Sequence, residues 1–474
     1  MNRTANSNES ELTLKRASLV CIVAVVAFQL AYSLPSCGFL FFLFLWCLIE
    51  LTSVKTTRQA VYFGLVTGML VYSPQLSFFW TIFGPAAIAL WVVPAFWLAL
   101  FLALGRACRL HFGLLPAALL IPFLWTGLEY FRSELYYLRF SWLNAGYVFA
   151  GNPSWLPYNL LGSYGIGFLL MAIVSLTALL RARTRAISRA TALAALGALA
   201  MLPGSETPST AVHSGGLPVA GVQLEFPSDT EVVFCLDKLI RHFPQAQLLV
   251  LSEYTFDGPV PERIKSWCAK NQRYLVVGAK APAAGSQYFN TVFVIGPSGD
   301  IIFQQGKCVP IQFFKDGLPA REQKLWESPW GTIGICICYD LSYTRVTDQL
   351  IRLGAQAIIV PTMDVADWGR HQHEMHARVA PIRAAEYGVP IFRVASSGIS
   401  QCVNAHGRVT ASATMPGDEA MISGFLDLND AGTLPLDRVI APLSTGVTGL
   451  FVGWLALASF RKKKKRQTQK IDPP

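Results

Sequence analysis

The first part of this chain is a succession of long apolar stretches that are almost free of acidic residues. An α-helix needs about 20 apolar residues to cross the ~30 Å hydrocarbon core of a bilayer. Because the backbone must satisfy its own hydrogen bonds there, such stretches are predicted to be helices and the chain a multi-span membrane protein. The predicted spans are residues 17–33, 36–52, 59–80, 84–105, 113–131 and 159–181, followed by 188–203 and 441–460.

Charged residues are scarce and unevenly distributed. They make up 14% of the 474 residues, against 53% hydrophobic residues, and this composition excludes a disordered chain. The formal net charge of +10 could suggest nucleic-acid binding, but six basic residues form a single run, Arg461 to Arg466, directly after the last span. We interpret this run as a cytoplasmic anchor attracted to anionic lipid, and we predict no nucleic-acid partner.

The basic residues of the short loops predict how the spans are oriented. Lys and Arg are retained preferentially on the cytoplasmic side, and they concentrate in the loops after the second, fourth and sixth spans. With the N-terminus inside and 188–203 crossing, residues 204–440 are exported. If 188–203 is only a surface helix, the C-terminal side changes face. Glu129 and Arg139, at the outer end of the fifth span, are interpreted as ordinary interfacial charges, with a lipid headgroup as the alternative partner.

From residue 217 onward the sequence changes to that of a soluble α/β domain. Short β-rich runs alternate with helical stretches such as 229–242 and 371–387, which predicts layers of sheet and helix. The β-rich runs are 218–224, 247–252, 274–278, 291–295, 332–338 and 357–361. The predicted organisation is a membrane domain at 1–203, a linker at 204–216, an α/β domain at 217–430, a closing span at 441–460 and a basic cytoplasmic tail at 461–474.

Three side chains of the α/β domain fit one catalytic task. Glu253, Lys307 and Cys338 each lie at the end of a separate β-rich run, so they are expected at the edge of a sheet. A thiol attacks a carbonyl as thiolate, which requires a base to take its proton and a cation to favour the charged form. Taken singly, the three have plainer explanations: a surface carboxylate, a solvated lysine and an inert cysteine. Cys336 is expected on the same strand face as Cys338.

Neither a metal site nor a disulfide framework is predicted. His371, His373 and His376 lie in one helical stretch, where His373 and His376 share a face. No third metal ligand has a recognisable spacing from that pair, so we predict a structural role for the histidines. The ten cysteines show neither zinc-ligand spacing nor a regular pairing pattern.

Four segments resemble the carbon–nitrogen hydrolase (nitrilase) superfamily. They are LSEYTF, YFNTVFVIGPSGDIIFQQGK, GTIGICICYD and LGAQAIIVPT, and the similarity extends over residues 218–428. The resemblance implies Glu253 as general base, Lys307 as the cation that stabilises the oxyanion and Cys338 as nucleophile. It also implies the fold class: a multi-span α-helical membrane domain plus an α/β nitrilase-like αββα sandwich domain.

The membrane spans add a more specific resemblance, to one family within this superfamily. Together with segments 142–170 and 371–400, they are similar to the bacterial apolipoprotein N-acyltransferase family. That family implies acyl transfer from a phospholipid donor to Cys338 as a thioester, then to the N-terminal amine of a lipoprotein's diacylglyceryl-cysteine, without metal or organic cofactor. It implies an inner (cytoplasmic) membrane location with the catalytic domain outside the cytoplasm. Two alternatives remain open: a membrane-tethered amidase or nitrilase using water, and a non-catalytic membrane scaffold.

The chain departs from the acyltransferase pattern between Lys307 and Cys338. These residues are 31 positions apart, a shorter interval than that branch usually has, and the stretch lacks the family's second glutamate. Gln312, Lys315 and Asp316 are nearby but are not expected to take its place. Asp340 stands where the branch commonly has glutamate, which keeps the charge but shortens the reach.

Overall fold

The structure is a computed structural model that describes residues 11–180, 216–413 and 419–471. The N-terminal part is helical, and the central part contains both sheets and helices. The helices are α1 (Leu14–Ser33), α2 (Leu40–Leu51), α3 (Thr57–Gln75), α4 (Phe78–Phe83), α5 (Ala87–Phe112), α6 (Leu114–Tyr130), α7 (Tyr158–Leu180), α8 (Asp229–His242), α9 (Glu262–Asn271), α10 (Thr344–Leu353), α11 (Arg370–Ala377), α12 (Val379–Tyr387) and α13 (Asp437–Ile471).

Five helical stretches of the described residues are long and apolar enough to cross a membrane. They correspond to five of the eight predicted spans, while α2 is apolar but has only 12 residues. Helix α3 ends at Gln75, before the predicted end of its span. The predicted span 188–203 lies outside the described residues. The five stretches are Leu14–Ser33, Phe78–Phe112, Leu114–Leu135, Tyr158–Leu179 and Asp437–Arg461.

Small residues allow α3 and α5 to pack closely. Gly64 and Gly68 on α3 face Ala99 and Ala95 on α5. A Cβ atom on Gly64 would lie 2.4 Å from Cα of Ala99, and one on Gly68 would lie 2.5 Å from Cα of Ala95. These distances leave no room for a side chain at either glycine. Each helix thus contributes a pair of small residues four positions apart, which is a common packing mode between helices in membranes.

The α/β domain contains two six-stranded sheets. Its strands are β1 (Leu217–Val222), β2 (Leu248–Val250), β3 (Tyr274–Pro282), β4 (Tyr288–Ile295), β5 (Ile301–Gly306), β6 (Leu325–Ser328), β7 (Gly331–Ile335), β8 (Ala357–Thr362), β9 (Ile391–Ala395), β10 (Ser400–Val403), β11 (Val409–Ala413) and β12 (Met421–Leu426). The strand orders are β12-β1-β2-β3-β4-β5 and β11-β10-β9-β8-β7-β6. Strands β1 to β3 are parallel, as are β7 to β9, and the outer strands are antiparallel. All six predicted β-rich runs contain strands.

The two sheets pack face to face, with helices on their outer faces. Successive residues of a strand point to opposite faces. Leu248 and Val250 of β2 are therefore buried in one apolar cluster with Ile335 and Val360 of the second sheet. Leu249, which points the other way, packs in a separate cluster with residues of α8 and α9. The result is the expected αββα sandwich.

Buried ionic contacts fix the sandwich to the membrane helices. Arg438, at the start of α13, binds the carboxylates of Asp348, Glu386 and Asp437 at nitrogen–oxygen distances of 2.8, 3.0 and 2.6 Å. Glu386 also accepts the backbone N–H of Ser163 on α7 at 2.9 Å. Moving one of these elements away would leave a buried charge without its partner, which costs several kcal/mol. These contacts therefore hold α7, α13 and the sandwich in one arrangement.

The close packing of α3 on α5 predicts a sharp difference between two glycines. We expect Gly68→Leu to lower the melting temperature of the detergent-purified protein by several degrees, because overpacking costs about 1–3 kcal/mol. Gly449→Leu is the matched control, since a Cβ on Gly449 would meet nothing within 4 Å. Thermal unfolding measures both, and equal melting temperatures would contradict the close contact.

Candidate active site

Glu253, Lys307 and Cys338 lie together at adjoining strand ends of the two sheets. Glu253 follows β2, Lys307 follows β5 and Cys338 follows β7. Their exposed fractions are 1%, 0% and 1%, so all three side chains are removed from bulk water. The structure therefore brings together the three residues that the sequence indicated.

Glu253 connects to the other two residues through short contacts. Its Oε1 lies 2.8 Å from Nζ of Lys307, and its Oε2 accepts the backbone N–H of Met363 at 2.8 Å. The Sγ of Cys338 lies 3.7 Å from the carbonyl oxygen of the same Met363. Because Met363 directly follows β8, one peptide segment of the second sheet holds the carboxylate and the thiol next to each other.

Cys338 occupies a strained turn. Strand β7 ends at Ile335, and Cys338 begins a short 3-10 helix with a φ of +51°. The strand predicted to reach residue 338 is therefore too long, and the expectation that Cys336 and Cys338 share a strand face is wrong. Cys336 is buried in the apolar core, whereas Cys338 lines a cleft. Positive φ is costly for a residue with a side chain, so the turn indicates a functional constraint.

Asp316 supplies a second carboxylate to Lys307. Its Oδ2 lies 2.7 Å from Nζ of Lys307 and also accepts the backbone N–H of Ile311 at 2.8 Å. Asn290 donates from Nδ2 to both carboxylates, at 2.6 Å to Glu253 and 2.9 Å to Asp316. The loop after β5 thus folds back so that Asp316 gives Lys307 a second carboxylate contact within the Lys–Cys interval.

Asp340 has a different task from these two carboxylates. It accepts the backbone N–H groups of Cys308 at 3.1 Å and Val309 at 2.7 Å, the residues that directly follow Lys307. Burial raises the pKa of Asp340 to about 6, while the positive charge of Lys307 opposes the rise. Asp340 thus fixes the chain that presents Lys307 to the site.

The electrostatics of the cluster favour a neutral thiol beside a basic carboxylate. Burial, then the negative charge of Glu253, raises the pKa of Cys338 well above its usual range. Burial also raises the pKa of Glu253, because Lys307 only partly offsets it and Asp316 adds to it. Burial alone would lower the pKa of Lys307, but Asp316 and Glu253 raise it well above its usual range. Lys307 therefore stays charged, and Glu253 is the group suited to receive the thiol proton.

A cleft of about 1080 Å³ leads from Cys338 to the membrane helices. Most of its walls are aromatic or aliphatic, and none of the described residues that line it is an aspartate or glutamate. The lining residues from the membrane helices include Phe78, Phe79, Ile82, Phe83, Leu90 and Trp97.

Exposed aromatic side chains form the rim of this cleft. Phe313 and Phe314 are 66% and 39% exposed, and their rings lie 6.1 and 5.7 Å from the ring of Phe83 on the membrane side. Trp368 contacts Phe314 at 5.9 Å between ring centroids. These residues thus belong to the rim and not to the core.

Two family models match this combination of domains. One, described as the N-terminal domain of apolipoprotein N-acyltransferase, matches residues 20–201, and the other, described as carbon–nitrogen hydrolase, matches residues 226–435. The chain belongs to the apolipoprotein N-acyltransferase family. The carbon–nitrogen hydrolase match places its α/β domain in the nitrilase superfamily.

Two curated relatives align with most of this chain. An apolipoprotein N-acyltransferase of Geobacter metallireducens is 24% identical over 482 residues, covering 88% of this chain and 90% of its own. One of Brucella suis is 27% identical over 389 residues, covering 69% of each chain. Among solved structures, an amidase of a Nesterenkonia species has a TM-score of 0.39 and 18% identity, covering 46% of this chain and 92% of its own.

The three histidines each contact a polar group of the protein. The described residues contain no group of three or more metal-ligating side chains. His371 and His373 contact the carbonyl oxygens of Gln75 and Val365 at 2.9 and 3.0 Å. His376 Nδ1 lies 2.8 Å from Asp364, and its ring lines the cleft, a position that its sequence spacing could not reveal.

The shared lysine predicts a pH effect of Asp316→Asn. Without the negative charge of Asp316, Glu253 is the one carboxylate of the pair that still contacts Lys307, so the pKa of Glu253 falls. The acid limb of the pH–rate profile therefore moves to lower pH. We also expect the rate of Cys338 acylation to fall about 10- to 100-fold, because a buried charged hydrogen bond is lost. Single-turnover acylation across pH measures both effects.

Glu322→Gln is the matched control for this prediction. Glu322 lies in the same Lys–Cys interval, and its side chain is 66% exposed. We expect its pH profile to match the unmodified protein. An unshifted acid limb in Asp316→Asn would show that Asp316 does not influence Glu253.

Proposed function

We propose that this chain moves a fatty acyl group from a phospholipid to the N-terminal amine of a diacylglyceryl-cysteine lipoprotein, through a thioester on Cys338. The observation that carries the proposal is that the thiol, held beside Glu253 and Lys307, opens into an apolar cleft continuous with membrane helices. A lipid chain can enter such a cleft without crossing water. Family membership supports N-acyl transfer as the activity.

The first half-reaction uses all three residues. Glu253 takes the proton of Cys338 Sγ, and the thiolate attacks the ester carbonyl of the phospholipid. Negative charge develops on the carbonyl oxygen, where the nearby ammonium of Lys307 stabilises it. The tetrahedral intermediate then expels the lysophospholipid alkoxide, which takes the proton from Glu253.

The second half-reaction returns the enzyme to its first state. The neutral N-terminal amine of the lipoprotein attacks the thioester carbonyl, and Glu253 accepts the proton that the amine loses. Cys338 leaves as thiolate and recovers that proton. Because the walls of the cleft are apolar, water competes poorly with the amine for the thioester.

We further propose the inner membrane of a bacterium as the location, with the α/β domain outside the cytoplasm. The loop charges support this orientation. The exposed rings of Phe313 and Phe314 at the rim suit the boundary between water and lipid. Both substrates are anchored in one leaflet, so a thiol held at that level meets them in turn.

Hydrolysis of a C–N bond is the less favoured function. The short interval between Lys307 and Cys338 favours it, but Asp316 supplies Lys307 with a second carboxylate within that interval. A soluble amide substrate also gives no reason for an apolar cleft between membrane helices.

The thioester intermediate gives a direct test of the proposal. The detergent-purified protein is incubated with a phospholipid labelled in its acyl chains, and hydroxylamine-sensitive label on the protein is measured. We expect label on the unmodified protein, transfer of the label to an added diacylglyceryl-cysteine peptide, and no label on Cys338→Ala. Cys37→Ser is the control, because it removes a partly exposed thiol outside the site.

Two outcomes would contradict the proposal. Release of labelled fatty acid without transfer to the peptide would indicate a hydrolase. Absence of label on a folded protein would indicate a scaffold.

A further inference from the structure

The charges that line the cleft have one sign. Its described lining includes the guanidinium groups of Arg132 and Arg139, together with the imidazole of His376, and no carboxylate. A cation in an apolar, partly desolvated wall is costly unless an anion meets it. The two arginines differ in whether a carboxylate of the protein lies close to the guanidinium group.

Arg132 is matched by neighbouring residues. Its guanidinium lies 3.9 Å from Glu129 Oε1 and donates to Asn144 Oδ1 at 3.0 Å. Glu129 itself accepts the backbone N–H of Ala145 at 2.8 Å. This buried group is therefore part of the internal structure, and Glu129 does not serve as the interfacial charge that the sequence indicated.

Arg139 is not matched in this way. Among the described residues no carboxylate lies within 4 Å of it, and its buried Nε has no hydrogen-bond partner. Its guanidinium lies over the ring of Tyr343, 5.5 Å from the ring centroid. The side chain is half-buried, so its charge is held at the wall of the cleft and not dispersed into solvent.

The backbone of Arg139 is held by the residue that follows the nucleophile. Its carbonyl oxygen accepts the hydroxyl groups of Tyr339 at 3.1 Å and Tyr343 at 3.3 Å. Tyr339 directly follows Cys338 in the chain. Arg139 and Cys338 both line the same cleft, so one ligand in that cleft can meet the cation and the thiol together.

We propose that Arg139 binds the phosphate diester of the acyl donor and so places the ester of that donor at Cys338. The inference rests on the proposed acyl transfer and extends it to the chemical class of donor. In a glycerophospholipid, the phosphate and the acyl esters share one glycerol, so a cation beside the thiol can reach the phosphate while the ester is attacked. The planar guanidinium matches two phosphate oxygens at once.

The proposal separates the two half-reactions. The donor carries a phosphate, whereas the diacylglyceryl group of the acceptor carries none. Arg139 should therefore contribute to formation of the thioester and not to its aminolysis. A merely structural role for Arg139 would affect both steps.

The test compares two donors with identical labelled acyl chains, phosphatidylglycerol and diacylglycerol, in neutral detergent micelles. Single-turnover acylation of Cys338 gives kcat/KM for each donor. We expect the unmodified protein to prefer phosphatidylglycerol, and Arg139→Gln to lose about 10- to 100-fold on that donor while its rate with diacylglycerol is unchanged. Arg139→Lys should retain part of the preference, because it keeps the charge without the planar fork.

Arg345→Gln is the matched control. Its guanidinium lies 6.0 Å from the same Tyr343 ring, but Arg345 is exposed and is not part of the cleft lining. We expect this variant to keep the donor preference of the unmodified protein. Aminolysis of a preformed thioester by the peptide should be equal in all four proteins.

Three results would overturn the proposal. Arg139→Gln could slow both donors equally, or it could leave the donor preference intact, or Arg345→Gln could abolish the preference to the same extent. Failure of the proposed acyl transfer is distinguishable, since the unmodified protein would then acquire no hydroxylamine-sensitive label from either donor.

Discussion

Lys307 is a fully buried cation, and its two carboxylate contacts determine how the site works. Burial penalises a charge heavily, so the ammonium requires Glu253 and Asp316 close to it, at 2.8 and 2.7 Å. Those contacts exist only when β2, β5 and the loop after β5 have all folded correctly. Sharing the lysine charge also keeps Glu253 basic enough to accept a thiol proton, so the same contacts support structure and chemistry.

The membrane helices complete the site and do not merely anchor it. Trp142, which follows the membrane-domain helix α6, donates from Nε1 to Ser342 at 2.9 Å and stacks on His376 with ring centroids 4.6 Å apart. Arg438 locks α13 to the α/β domain on another side. The cleft between the two parts exists because these contacts hold them at a fixed separation.

Much of the fold could be predicted because hydropathy and strand patterns are local properties. The five long apolar helices and six of the twelve strands follow from such patterns. The proximity of Glu253, Lys307 and Cys338 could be predicted because each ends a β-rich run within a recognisable motif. The predicted end of β7 at residue 338 is wrong, because the strand ends at Ile335. An apolar run such as GICIC gives no sign that the chain turns to positive φ at Cys338.

The sequence by itself determined the class of fold and the three side chains that meet between the sheets, because these depend on apolar periodicity and on motifs of a few residues. Only the tertiary structure decided that Asp316 reaches Lys307, that His376 faces the cleft and that, among the residues the structure describes, no carboxylate lies near Arg139. These facts depend on which loops approach each other in space. Approach of that kind is set by packing between segments distant in the chain, and no local pattern records it.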